Sequence, residues 1–399
     1  MKRLSILFIM LFAWVQAAQA GGLQVPEMGV KSMGMANAFT AVANDPSANW
    51  FNPAGLAFQK GAAVTAGGVV VLPKVDFTEN SSNPSPGVSS SSIDKKTIAI
   101  PHAYIGINTE SDLAAGIGIN SPFGLEVQWP TTAVFAAGAQ RGRLQTINVN
   151  PNVAFKLSDT FSVAAGIDYV DMYRVNFDGT ALLQNFKGDG WGYNLAALYK
   201  TKLFNVGVSY RSSVKIKAKG QSTHTVSSTT SNNAITVTMP DMLSIGIAFH
   251  PTEQWIVSVD ADRVNWKKFD QLAFVYTPAL AGGRLPSLNV PEKWKAVWAY
   301  RIGMEWAYSP VMRARFGYTY DPTPIKDVNF TPIIPGNDRQ AVHVGYGADI
   351  SDHATIDIAY MYVWLTKRHQ TQSTGTNIVR NGIYKSSIHL VSASLTYRF

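Results

Sequence analysis

The last nine residues constrain this chain more than any other stretch. They read Val391-Ser392-Ala393-Ser394-Leu395-Thr396-Tyr397-Arg398-Phe399. Val391, Ala393, Leu395, Tyr397 and Phe399 alternate with Ser392, Ser394, Thr396 and Arg398. A period of two places the sets on opposite faces of a strand. One face suits lipid and the other a wet interior. An edge strand of a soluble sandwich has the same alternation, so a second signal has to separate the two. It lies at the other end of the chain. Lys2 and Arg3 precede an apolar run from Leu4 to Val15, broken only by Ser5, and Ala18-Gln19-Ala20 is a small-x-small site. The pattern predicts a signal peptide over residues 1–20, cleaved to leave Gly21 first. The run is short for a bilayer span, and no stop-transfer pattern comes after it.

An exported chain that stops on an aromatic at a strand end resembles bacterial outer-membrane barrels, whose terminal Phe belongs to the insertion signal. Composition agrees with membrane residence. Charged residues are only 15% of the 399, low for a soluble protein. No later segment approaches a transmembrane helix, so alternating strands must carry the membrane signal. The absence of cysteine excludes disulfides and thiolate metal sites. The net charge of +8 is scattered, without the basic stripe of a nucleic-acid footprint.

Residues 21–60 differ from the rest of the mature chain. They are rich in Gly, Ala, Met and Asn and lack a period-two pattern. Residues 34–43 are compatible with a short helix, Asp45-Pro46-Ser47 with a turn or helix start, and Asn52-Pro53-Ala54-Gly55-Leu56 with irregular backbone. This region is expected to be a small plug, or hatch, inside the lumen. From Gly61 to Phe399, long strands alternate with short polar turns at 109–111, 158–160, 200–202, 251–253, 309–310 and 351–353. Longer Ser/Thr/Asn/Pro-rich stretches at 80–92, 221–233, 322–339 and 371–377 lie between them. That asymmetry is the pattern of periplasmic turns and extracellular loops. About fourteen strands result, an even number. Trp294, Trp298, Tyr300, Met304 and Trp306 share one face of the tenth, against Lys295, Arg301 and Glu305. Met312, Phe316 and Tyr318 oppose Arg313 and Arg315, and Ile356, Ile358 and Tyr360 oppose Thr355 and Asp357. A Lys or Arg facing lipid at mid-membrane costs roughly 2–4 kcal/mol, so the charged faces are expected in the lumen. The expected fold is all-β: a transmembrane antiparallel barrel with an N-terminal plug.

Several stretches carry a family resemblance. Gly29 to Leu56 contains G-x4-G-x-A-x-A, then Ala41-Val42-Ala43-Asn44-Asp45-Pro46-Ser47-Ala48, then Asn52-Pro53-Ala54-Gly55-Leu56. Further on are Asn120-Ser121-Pro122-Phe123-Gly124-Leu125, Asn150-Pro151-Asn152-Val153-Ala154-Phe155, Tyr210-Arg211-Ser212-Ser213-Val214 and Tyr318-Thr319-Tyr320-Asp321-x-Thr323-Pro324. Across nearly the whole mature chain the sequence resembles the FadL family of outer-membrane transporters for long-chain fatty acids and other hydrophobic compounds.

The resemblance implies a mechanism. Ligand is captured at extracellular loops, passes to a pocket near the plug's N-terminus, and leaves sideways when the plug shifts against a kinked third strand. Asn52, Pro53 and Ala54 would then couple plug to wall. Asn120, Pro122, Phe123 and Gly124 would form the lateral opening. From the residues alone, Pro122 and Gly124 fit either a wall gap or a turn above strand three, since Pro cannot donate and Gly weakens a ladder. Met33, Met35 and Phe39, with Met28, suit either adaptable ligand contact or plain packing. Arg174 is the first choice for a ligand head group, with a luminal ion pair as its other reading. The expected partners are a long-chain fatty acid or similar hydrophobic ligand and the surrounding outer-membrane lipid and lipopolysaccharide, with the protein monomeric. Uptake of aromatic hydrocarbons is the nearest alternative, and a general porin a further one. No catalytic residue, metal site or cofactor is expected, because His102, His343, His353 and His389 lie in no nucleophile motif and no helical i, i+4 pair.

Overall fold

The computed structural model describes residues 22–79, 90–108, 111–373 and 379–399. The predicted signal peptide lies outside the described residues, as do parts of the connections expected at 80–92, 109–111 and 371–377. Twenty-one strand segments form one sheet, which closes as a fourteen-stranded antiparallel barrel. Its first seven wall strands are Gly61–Glu79, Ile98–Asn108, Leu113–Asn120 with Gly124–Gln128, Arg141–Ser158, Phe161–Asp178, Leu182–Lys200, and Phe204–Arg211 with Val214–His224. The next four are Thr229–Met239 with Met242–Thr252, Trp255–Val264 with Gln271–Leu280, Leu285–Pro291 with Val297–Ala307, and Met312–Asp321. Arg339–Asp349, Ala354–Leu365 and Gly382–Arg398 complete the wall. The first strand pairs with the last from Ala63↔Arg398 to Glu79↔Gly382, which closes the seam. Closure lets the wall pair its own backbone groups where lipid offers no partner.

The two faces divide as the alternation predicts. In the last strand Val391, Leu395 and Tyr397 are exposed, while Ser392, Ser394 and Thr396 are buried. Arg315 points inward, its Nε 2.6 Å from Glu305 Oε2 and its Nη1 2.6 Å from Asp357 Oδ1. Phe316, Ile356 and Ile358 point out. Trp294 does not share the outward face of Trp298, Tyr300 and Trp306. It precedes Val297–Ala307 in an irregular stretch and is buried, its ring 5.0 Å from Trp266 and 4.7 Å from Phe269. A break at residues 292–296 interrupts the alternation there.

Aromatic rings bound the apolar band. Tyr199 and Phe204 lie 6.0 Å apart near the short turns, and Trp255 stacks on Trp306 at 5.4 Å. Toward the other end, Tyr169 meets Trp191 at 4.7 Å and Tyr193 meets Tyr210 at 6.1 Å. Ile167, Leu195 and Val208 are exposed between the two rings. Trp191 to Tyr199 spans roughly 27 Å of strand, or about 20 Å of height at a typical tilt, which fits a lipid-facing band.

Two sequence expectations need correcting. The polar stretch 221–233 is mostly strand, because Val214–His224 pairs with Thr229–Met239 up to His224↔Thr229. Residues 267–293, to which the sequence pattern assigns no element, also carry the strands Gln271–Leu280 and Leu285–Pro291. Beyond the bilayer a hairpin has no greasy face, so the apolar alternation vanishes although Thr still favours strand. In the N-terminal segment the helix expected over 34–43 is displaced. Val30–Gly34 and Ala48–Phe51 are helical, Pro53–Phe58 forms a 3-10 turn, and Ala36, Asn37 and Ala43 have positive φ.

Candidate functional site: an enclosed segment, a cavity and a break in the wall

Wall side chains from many strands reach the backbone of residues 28–57. Tyr104 Oη donates to Met28 O at 2.5 Å, and His343 Nδ1 lies 2.8 Å from Met33 O. Asp260 Oδ2 accepts from Phe39 N at 2.9 Å and Thr40 N at 2.8 Å. Arg211 Nη2 donates to Asn49 O at 2.9 Å and Trp50 O at 2.8 Å, while its guanidinium lies 4.0 Å from the Trp50 ring centroid. Ser162 Oγ donates to Ala54 O and Asn108 Nδ2 to Ala57 O. These bonds come from opposite sides of the barrel and satisfy main-chain groups that a segment without a sheet would leave unpaired. Glycine makes the approach possible: a Cβ at Gly303 would strike Met35 O, and one at Gly207 would strike Thr40 O.

Asn52 is fully buried where segment and wall meet. Its Nδ2 donates to Thr40 O at 2.8 Å and to the wall carbonyl of Ala197 at 3.0 Å, and its Oδ1 accepts from Ala54 N at 3.1 Å. Pro53 starts the 3-10 turn, where its missing N–H costs nothing. Asn52, Pro53 and Ala54 therefore form one local unit.

The wall is interrupted beside the third strand. The second strand pairs with it only from Ala103↔Ile119 to Asn108↔Ala114. Gly124–Gln128 then pairs with the fourth strand alone, Gly124↔Gln145 to Gln128↔Arg141. Extending the register would set Ile100 opposite Pro122, but no pair forms there. Pro101 sits on the near edge and Pro122 on the far edge, and neither has an N–H to give. Residues 23–25 occupy the inner side of the kink instead. Val25 N donates to Pro122 O at 2.9 Å, Gly124 N donates to Leu23 O at 2.9 Å, and Gln24 bridges Phe123. Thr146 Oγ1 donates to Phe123 O at 2.7 Å. Asn120 is buried below, its Oδ1 accepting from Asn148 Nδ2 at 3.3 Å.

A cavity of about 290 Å³ extends from the start of the enclosed segment to this break. Val71, Val75, Ile100, Leu125, Val363 and Leu390 supply aliphatic lining, with Phe123 and Tyr173 the aromatic contributors. Glu27, Arg301, Asp321 and Arg339 supply a polar end. Arg301 Nε lies 2.5 Å from Asp262 Oδ2, and Arg339 pairs with Asp321. Burial pushes the Glu27 carboxyl above the usual carboxylate range, and Arg339 and Arg301 draw it only part of the way back. Glu126 borders the cavity too, held by Arg143 at 2.6 Å and Lys96 at 3.0 Å.

Apart from the Asn52–Ala54 unit, the sequence-derived site residues divide into two groups. Phe123 and Gly124 line the cavity, and Asn120 and Pro122 flank them at the break. Met33, Met35 and Phe39 do not line it. All three are fully buried in packing, Met33 against Val69 and Met361, Met35 and Phe39 near Trp50 and Phe51. Arg174 does not face the lumen. One extra residue on the fifth strand, opposite Met172↔Gly188 and Val175↔Phe186, turns Arg174 outward and leaves it exposed. Glu27 and Arg339 went unnoticed because a lone charge in a loop-like segment or at a strand start carries no pattern.

A closed wall with an apolar outer band, a polar interior and a ligand-sized cavity defines an outer-membrane transport barrel. The sequence matches the outer membrane protein transport protein family (OMPP1/FadL/TodX) over residues 11–399, and the chain belongs to that family. A long-chain fatty acid transport protein of Escherichia coli O6:H1 is 24% identical, with 90% of each chain covered. A putative outer membrane protein of Neisseria meningitidis serogroup B is 23% identical over 96% of each. Among solved structures, a Pseudomonas aeruginosa FadL homologue superposes with a TM-score of 0.82 at 17% identity, covering 95% of this chain and 100% of the other. The Ralstonia pickettii toluene transporter TbuX gives 0.71 at 18%, covering 93% and 98%. The chain is thus an outer-membrane transporter of hydrophobic compounds rather than an enzyme.

Proposed function

We propose that the protein admits long-chain fatty acids or similar aliphatic amphiphiles passively, and that residues 22–60 act as a plug whose first residues gate a lateral exit beside the third strand. The observation that carries this reading is the continuity of the cavity with the unpaired edges of the second and third strands. An apolar chain gains about 0.8 kcal/mol for each CH₂ that leaves water. Release straight into periplasmic water would forfeit that gain, whereas a side exit keeps the chain in apolar surroundings. The volume supports an extended ligand: a cavity of roughly 150 Å³ already holds benzene, and this one is about 290 Å³. Its lining is mainly aliphatic, and the fatty acid transport relatives point the same way.

The test combines two measurements. Ligand carried through purification is identified by native mass spectrometry, and uptake of labelled oleate and labelled toluene is monitored in cells lacking their own transporters. Oleate uptake that is lost in Ala99→Trp, at the rim of the break, while binding to the outer surface persists, supports the reading. Uptake of toluene alone would assign the cargo to aromatic hydrocarbons. Oleate uptake unchanged by Ala99→Trp would reject the lateral exit.

A further inference from the structure

The outward face of strands five to seven carries an unpaired basic patch directly above the outer aromatic ring. Val214, Ile216 and Ala218 are buried, so the alternation sends Lys215, Lys217 and Lys219 outward, and all three are exposed. Lys187 and Arg174 are exposed on the neighbouring strands. In the ladder Lys219 stands directly opposite Lys187, and Lys217 opposite Asp189. Asp171, itself opposite Asp189, is the other acidic residue at this level. Five cations therefore share this surface with two carboxylates. Among the described residues, none of the five forms an ion pair.

Two features set this patch apart from an ordinary solvated face. Like charges directly opposite on adjacent strands repel, so the Lys187–Lys219 pair costs stability unless an anion sits between them. The height is also specific. Lys187 lies roughly 13 Å along the strand beyond Trp191, about 10 Å higher at a typical barrel tilt. Long lysine side chains reach back from there to the polar edge of the bilayer. The side is the one away from the short turns and the C-terminus, so it faces the outer leaflet.

We propose that Arg174, Lys187, Lys215, Lys217 and Lys219 form a docking surface for the phosphate groups of an outer-leaflet glycolipid of the lipopolysaccharide type. Lipid phosphates at the level of the lysines neutralise them while the acyl chains lie against Ile167, Leu195 and Val208 below the ring. The two carboxylates restrict the favourable seats to the Lys187–Lys219 and Lys215 positions. The proposal is independent of what passes through the channel.

The experiment uses the full mature protein in detergent micelles, with bisphosphorylated lipid A as probe and native mass spectrometry as readout. Replacing Lys187, Lys215, Lys217 and Lys219 with Gln should lower lipid A occupancy by about tenfold or more, with heat-modifiable gel mobility and ligand uptake unchanged. Replacing the same four with Arg should retain binding. Asp171→Asn with Asp189→Asn should strengthen it, a gain that misfolding cannot produce. Lipid A stripped of phosphate should bind no better to wild type than to the Gln variant. Equal occupancy in wild type and the Gln variant overturns the proposal. So does displacement of lipid A by inorganic phosphate at equal concentration, which would make the patch a general anion site.

Discussion

Removing the Asn52 side chain tests the grip between the proposed plug, residues 22–60, and the wall. Asn52→Ala deletes two donated bonds, to Thr40 O and Ala197 O, and one accepted from Ala54 N. Each buried bond contributes about 1 kcal/mol net, and the stranded partners add a desolvation cost. Only the bond to Ala197 O crosses from plug to wall, the other two lying within the plug, so the plug should lose about 1 kcal/mol against the wall, which multiplies its undocked population roughly fivefold. The wall should stay folded, because its ladders do not pass through Asn52. Since the chain has no cysteine, Ser47→Cys on the buried plug gives a label site with no background. Its rate of maleimide modification tracks the open population when reclosing is fast. Modification should therefore be about fivefold faster with Asn52→Ala than without it. Equal rates in two equally folded backgrounds would refute the idea that Asn52 helps hold the plug to the wall.

Three further outcomes are expected. Gly303→Val places atoms where Met35 O lies, and overpacking of this kind costs about 1–3 kcal/mol; a melting temperature equal to wild type would show that the plug is not pressed on this wall. Pro122→Val with Gly124→Val adds a donor and β-propensity at the break, and a Cβ at Gly124 lies 3.1 Å from Val25 Cγ2. Ligand binding should survive in that variant while uptake falls, and normal uptake would place the exit elsewhere. Burial raises the Asp338 carboxyl, in the stretch before the twelfth wall strand, from 3.8 to about 6. The folded state thus holds its proton more tightly, so this contribution is complete below about pH 4 and lost as pH rises through about 6. Asp338→Asn should flatten the stability profile between those values, and an unchanged slope in chemical denaturation would exclude the residue as its source.

The wall was legible because lipid imposes one chemical rule on every second residue. That rule placed Arg315 and Asp357 inside and Phe316 and Ile358 outside without any knowledge of contacts. It failed wherever lipid stops acting: in the extended hairpin around residues 221–233, in the break that buries Trp294, and at the bulge that turns Arg174 outward. A bulge reverses the parity of every later residue in its strand, and no residue at 172–175 announces it. Pro122 and Gly124 pointed to a weak ladder, yet the missing partner is a relation between strands, absent from either strand alone. Methionines 33 and 35 illustrate the limit of composition, since adaptable side chains serve packing and ligand contact equally. Glu27 could be recognised only once folding had set it beside Arg301 and Arg339.

The backbone grip on residues 28–57 also bears on how the barrel is built. Tyr104, Ser162, Arg211, Asp260 and His343 stand on five different wall strands, yet all hold the same short segment. A tube with fewer strands would crush that segment, and one with more would leave its amides and carbonyls without partners. The segment thus works as a gauge of circumference, favouring closure at one strand number. It is also synthesised first and tethered to Gly61 at the start of the wall. Threading it in after the seam between Gly61–Glu79 and Gly382–Arg398 had zipped would mean feeding it past the polar side chains that line a closed tube. Such a segment favours an assembly order in which the wall wraps around its contents and the seam is sealed last.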